Sequence, residues 1–215
     1  MKIAYIFPSR ERPEKFFNTI DTIKCFSESD NYFVWAKMDD NDPAAEKYKE
    51  RLSEYPEVSV VWGESKNKVD AINRGLGNIP PFDILCLHSD DMFFNSYGFD
   101  NDIREAFKEF NGLVHFPDGH VNERLITYPM MHREYYKSLG YIYHPDFLNV
   151  YCDNFQMLQA QMLGKYKFVN KKILEHRHPI WGFGQADELL KRTENPEGYK
   201  KDHETFLRLK QEHGW

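Results

Sequence analysis

No apolar run in the 215-residue sequence approaches the roughly 20 residues that a membrane-spanning helix needs. Positive charge is not in excess either. Lys and Arg total 28 against 34 Asp and Glu, a formal net charge of −6. That balance argues against broad nucleic-acid binding, although a few local cations or a metal can still hold a phosphorylated ligand. Cysteine is scarce: Cys25, Cys86 and Cys152 are spread without metal-type spacing and suit reduced core thiols in a cytoplasmic protein. The two standard glycine-rich phosphate loops are missing, with no GxGxxG after the first apolar run and no GxxxxGK[ST] anywhere. There is no internal repeat, low-complexity tract or linker. The opening MKIAYIFPSR turns polar too soon for a signal peptide and reads as a first strand.

What is present is a globular composition, 41% hydrophobic, in a length that suits one α/β domain with a substantial core. Strand-like runs KIAYIF, YFVWAKM, VSVVW and ILCL alternate with helical patterns. Phe16, Phe17, Ile20 and Ile23 recur at helical spacing behind Pro13, which fits a first helical turn. This alternation predicts a largely parallel, doubly wound sheet. Further on, helices are expected over 99–110, within 130–139 and from Asp153-Asn154 onward. A strand is expected over 166–174. A charged terminal helix over 200–215 reads as peripheral.

The most informative stretch is Ile84 to Phe94, ILCLHSDDMFF. Adjacent carboxylates at the end of a buried strand repel each other and are costly to desolvate. A hard divalent cation such as Mg²⁺ or Mn²⁺ removes that repulsion and prefers oxygen ligands. Strand ends of an open α/β sheet are also where ligands bind. The bland alternative is an Asp-rich turn or helix cap. Similar polar steps follow the other strands: Ser9 to Arg12, Asp39-Asp40, and His176 with His178. Of the two arginines in the first step, Arg12 reads as a surface charge more than Arg10 does. His176 and His178 share a face if their strand runs through both. Asp153 opens a helix whose N-terminus is expected to lower its pKa. It could equally be only a cap.

Together PSRERP, Asp39, KVDAINRG, the SDDM step, VYCDNF and EHRHP resemble the GT-A-fold, family-2-type nucleotide-sugar glycosyltransferases, from Met1 to about Asp187. The resemblance implies a single catalytic domain over 1–190 with a helical extension over 191–215. It implies that Pro8, Ser9 and Arg10 line a nucleotide pocket, that Asp39 bonds the base, and that Lys68 and Asn73 lie near ribose or phosphate. Asp90 would contact ribose or the metal's surroundings. Asp91, with His176 or His178, would hold the Mn²⁺ or Mg²⁺ that bridges the diphosphate. Asp153 would be the base that deprotonates an acceptor hydroxyl, giving single displacement with inversion. The pattern departs at Ser89, where the family's motif often reads Asp-x-Asp, and at Asp153, which precedes Asn rather than following Glu. The aromatic stretch Tyr135–Tyr151 could stack an acceptor sugar or form plain core. Two competing readings are a nucleotidyltransferase of the sugar-nucleotide pyrophosphorylase type, which normally carries a glycine-rich first loop, and a non-catalytic nucleotide-sugar or carbohydrate-binding protein.

Overall fold

A computed structural model describes all residues, Met1–Trp215. The first half is a strand–helix alternation: β1 Ile3–Pro8, α1 Pro13–Phe26, β2 Tyr32–Asp39, α2 Ala45–Leu52, β3 Val58–Gly63, α3 Lys68–Asn73 and β4 Ile84–Leu87. After the acidic step come β5 Met92–Phe94, α4 Phe99–Phe107, β6 Leu113–His115, β7 Met130–His132 and α5 Arg133–Leu139. The chain finishes with α6 Cys152–Met162, β8 Tyr166–Phe168, β9 Leu174–His176, α7 Glu188–Thr193 and α8 Pro196–His213. No helix is long and apolar enough to cross a membrane.

Seven strands form one sheet in the order β3-β2-β1-β4-β7-β6-β8. It is mostly parallel; β7 alone runs against its neighbours β4 and β6. The chain winds outward from β1 to β3, then crosses back to lay β4 on β1's other side. That reversal opens a crevice beyond the C-terminal ends of β1 and β4, the place where ligands bind in such sheets.

Helices cover both faces. Along β1, Ile3, Tyr5 and Phe7 enter one core with Phe16 and Phe17 of α1, Tyr48 of α2 and Ile103 of α4. Ala4 and Ile6 enter the other core with Val69 and Ile72 of α3, Phe155 of α6 and Leu209 of α8. Burial on both faces explains why KIAYIF and ILCL read as continuous apolar runs rather than alternating ones.

Three expectations are corrected. The stretch 166–174 is not one strand: it breaks into β8, in the main sheet, and β9, which pairs antiparallel with β5 as a separate ribbon. The strand stops at His176, so it does not run on to His178. The helix expected within 130–139 is present as α5, directly after β7. The final helix is not peripheral. Asp202 of α8 is fully buried, and its carboxylate accepts the amides of Leu148, Asn149 and Val150 at 2.8, 2.8 and 2.9 Å. The helix thereby fastens the loop that leads into α6.

Candidate active site

The crevice is a cleft of about 870 Å³. One wall descends from β1 and β2. Pro8, Ser9 and Arg10 line it at the end of β1, as expected from the sequence. The Ser9 hydroxyl lies 2.7 Å from the Tyr48 hydroxyl. Arg10 donates to Asp39 at 2.9 Å and to the Asn41 side chain at 2.7 Å. The other Asp39 oxygen accepts from Ser65 at 2.7 Å and from Arg74 at 2.9 Å. Burial works against the Asp39 charge, but these donors outweigh it and hold the carboxyl below its ordinary pKa. Asp39 thus reaches the cleft with both oxygens already engaged. Lys68, at the first turn of α3, also lines the cleft. Asn73 does not line it. Its amide donates to the Tyr143 carbonyl at 2.7 Å and accepts from the Ile142 amide at 3.0 Å, tying α3 to the loop before α6.

The opposite wall carries the acidic step. Asp90 is buried and accepts from Arg12 at 3.0 Å. Burial pushes its carboxyl up to about 6 even though Arg12 pulls the other way. Arg12 also donates to Asp187 at 2.7 and 2.6 Å. Its side chain is only 16% exposed, so the surface-charge reading of Arg12 is overturned. A carboxylate 175 positions away holds it inside.

Asp91 accepts a short hydrogen bond from the Ser89 hydroxyl and lies 3.3 Å, through Oδ2, from His176 Nε2. The β5–β9 ribbon sets this distance. Met92 faces His176 in its register, and the Arg177 amide donates to the Asp91 carbonyl at 2.7 Å. Behind His176 stands Asp118, which the sequence did not single out. It is 1% exposed, and one of its oxygens accepts the amides of His120, Val121 and Asn122, each at 2.9 Å. The other oxygen has no hydrogen-bond partner and lies 3.6 Å from His176 Nδ1, itself without one. Burial disfavours the imidazolium, but Asp118 and Asp91 on either side outweigh it and raise His176 to about 9. Asp91 is likewise opposed by burial, yet His176 and Ser89 hold it far below the usual carboxylate range. His178 lines the cleft with its ring 5.4 Å from that of His176. Its Nδ1 accepts the Ile180 amide at 3.3 Å, and Nε2 sits 3.9 Å from Glu194.

These residues can be tested against a hard divalent cation. No group of three or more His, Cys, Asp or Glu side chains is assembled as a complete cage. The 3.3 Å between Asp91 and His176 matches the separation of adjacent ligands on a six-coordinate ion, about 3 Å. A partial protein set of this kind suits an ion that takes its remaining ligands from phosphate and water. The mix of carboxylate and imidazole suits Mn²⁺. The donor set therefore fits.

Asp153 is the second residue of α6 and lines the cleft. It is not the cap; that position is Tyr151, in a left-handed conformation with φ 57°. Its Oδ1 accepts only the neighbouring Asn154 amide, at 2.8 Å. Burial raises its pKa, the reverse of what the helix N-terminus suggested, and Lys68 offsets this only in part. Four aspartates line the cleft: Asp39, Asp90, Asp91 and Asp153. Asp153 is the one with no hydrogen bond to a cationic or imidazole side chain.

The aromatic stretch is mainly core: Tyr135, Tyr143 and Phe147 are buried beneath the sheet. Tyr143 and Tyr151 of the same stretch nevertheless line the cleft, joined there by Ile180 and Trp181, the latter stacked on His120 at 4.7 Å between ring centroids.

No protein-family model matches the sequence, and no curated protein matches it. Solved structures do match in shape. A mannosyltransferase from Pyrobaculum calidifontis, PcManGT, in complex with GDP-Man and Mn²⁺, superposes with a TM-score of 0.62 at 15% identity, over 79% of this chain and 54% of that one. S. aureus TarS 1–349 with UDP-GlcNAc gives 0.64 at 10% identity, over 90% and 64%. A 4-diphosphocytidyl-2C-methyl-D-erythritol synthase from Anaerococcus prevotii gives 0.56 at 14% identity, over 80% and 87%. The chain spans about half the length of the mannosyltransferase and less than two thirds of that TarS structure. Strand order, the crevice at β1 and β4, and these superpositions together show that the chain has a GT-A-type, Rossmann-like α/β fold.

Proposed function

We propose that the chain is a glycosyltransferase that binds a nucleoside-diphosphate sugar with Mn²⁺ or Mg²⁺ and transfers the sugar to an acceptor hydroxyl with inversion. The observation that carries this reading is the Asp91–His176 pair, 3.3 Å apart at the mouth of the β1–β4 crevice. The Mn²⁺ and GDP-Man of one structural neighbour, and the UDP-GlcNAc of another, support it.

A cation held by Asp91 and His176, with His178 close by, would supply the positive charge that stabilises a departing diphosphate. The remaining roles belong to the chain's own side chains. Ser9 and Arg10 flank the nucleotide, with Lys68 placed to meet phosphate. Arg12 keeps Asp90 fixed and pointing into the cleft. Asp153 takes the proton of the acceptor hydroxyl. Its raised pKa makes it a better base than an ordinary aspartate, provided it is still ionised at working pH. The other three aspartates of the cleft are tied to Arg or His, so Asp153 is the aspartate left for the base of a single displacement.

A second reading, nucleotidyl transfer, is favoured by the synthase neighbour, which this chain covers to 87%. The segment from Pro8 to Pro13 has no glycine, which counts against it. The products separate the two. Incubated with a panel of nucleotide sugars, Mn²⁺ and mixed saccharides, a glycosyltransferase releases nucleoside diphosphate. A nucleotidyltransferase given nucleoside triphosphate and sugar phosphate releases pyrophosphate. A binding protein releases neither.

A further inference from the structure

β2 carries a lysine where a core residue would be expected. Lys37 is 1% exposed, and its Nζ has no hydrogen-bond partner. Burial first, then repulsion by the Arg74 guanidinium, pushes the ammonium down to about 7. The Trp35 ring, 5.4 Å from Nζ to its centroid, offers only weak compensation. Gly75, in a left-handed turn at φ 67°, leaves open the space beside the amine, since a Cβ there would stand 3.4 Å from Nζ. Lys37 nevertheless lines the cleft, on the same wall as Ser9, Asp39 and Ser65. Arg74 Nε, next to it, is also buried without a partner.

Buried, unpaired amines are destabilising, and local rules of this kind are broken mainly at functional sites. The wall of the cleft at the β2 end therefore holds one unfilled donor, the Lys37 amine, while the carboxylate there, Asp39, has both oxygens engaged. An incoming group here must accept hydrogen bonds.

We propose that Lys37 is a specificity-determining donor in the nucleotide subsite, hydrogen-bonding a carbonyl oxygen or ring nitrogen of the nucleobase. This rests on the nucleotide reading of the cleft. The same donor could meet a phosphate oxygen, so the test must separate base from phosphate.

The experiment measures binding of UDP, CDP, GDP, ADP and inorganic pyrophosphate, each with Mn²⁺, to wild type, Lys37→Met and Lys37→Gln by calorimetry, with melting temperatures alongside. Lys37→Met should melt higher, because it removes a buried unpaired amine and keeps the shape of the side chain. It should bind the tightest nucleoside diphosphate about tenfold or more weakly and pyrophosphate as before. Lys37→Gln, which retains a donor, should recover part of the affinity. A variant that melts higher and binds every ligand like wild type would make Lys37 a structural irregularity and overturn the proposal. So would a Lys37→Met protein that melts lower, since the amine would then have a stabilising partner. Equal weakening of pyrophosphate would move the contact to phosphate and overturn the base assignment. If no nucleoside diphosphate binds wild type, the nucleotide reading itself fails, a result distinct from these.

Discussion

His176 Nε2 lies 3.3 Å from Asp91 Oδ2, across 85 positions of sequence, because the β5–β9 ribbon sets Met92 opposite His176. Asp118 completes the arrangement from behind. A carboxylate facing Nδ1 favours hydrogen there, so that a cation displacing the Nε2 proton would meet the Nε2 lone pair. Replacing Asp118 with Asn keeps an oxygen for the three amides it now receives and removes the charge. Mn²⁺ affinity is expected to fall by roughly 10–100-fold with little change in melting temperature. Calorimetry with Mn²⁺ and nucleoside diphosphate reads the first, thermal denaturation the second. Unchanged metal affinity in Asp118→Asn, with loss in His176→Ala, would leave Asp118 as a loop anchor only.

Arg12 stands between a buried and a half-exposed carboxylate, Asp90 and Asp187, and the two should respond very differently. Arg12→Met strands Asp90 in the cleft wall and is expected to cost about 3–5 kcal/mol, the usual penalty for halving a buried pair. Asp187→Asn should cost less than about 1 kcal/mol, since solvent screens that partner. Adding Asp90→Asn to Arg12→Met should restore much of the loss. Urea denaturation of the single and double variants tests all three values, and purely additive losses would refute the coupling.

Asp153→Asn should melt near wild type, because Asp153 provides no cap and its one hydrogen bond is to an adjacent amide. Donor binding should also persist, while transfer slows by about 10²–10⁴-fold. Transfer at the wild-type rate would exclude Asp153 as the base. Asp146, on the loop before α6, cannot take its place: it is paired with Arg208 at 2.6 Å and does not line the cleft.

Lys37 gives stability a specific pH dependence. Its pKa falls from 10.5 in the unfolded chain to about 7 in the folded one, so between these values the unfolded chain binds more protons. Stability from this group therefore rises with pH across that window, and its penalty is fully present below about 7. The stability advantage of Lys37→Met should be largest below pH 7 and fade toward 10.5. Denaturation midpoints of both proteins across that range test it; a constant difference would contradict it.

The parts of the fold that were readable are those whose signal is local. β1 and β4 are buried on both faces and show as apolar runs, and Pro13 with Phe16, Phe17, Ile20 and Ile23 marks α1. The β5–β9 ribbon was not readable, because three-residue strands carry no measurable period and their partners lie far apart. Asp91 and His176 could be named as metal-binding types, but not the ribbon that joins them. Arg12 looked like any loop arginine until Asp187 arrived from the far end of the chain. Lys37 was invisible for the opposite reason: lysines usually carry their charge out to water, and nothing in YFVWAKM says this one does not. For Asp153 the helix-dipole argument pointed the wrong way, since burial outweighs it.

The central claim is that Asp91, with His176, holds a divalent cation against a nucleoside diphosphate. The most direct measurement is the affinity of the protein for its tightest nucleoside diphosphate, with Mn²⁺ and with chelator, in wild type and in Asp91→Asn. The account predicts tight binding only for wild type with Mn²⁺, and loss of most metal-dependent affinity in Asp91→Asn without loss of fold. Equal metal-dependent affinity in the two proteins would contradict it.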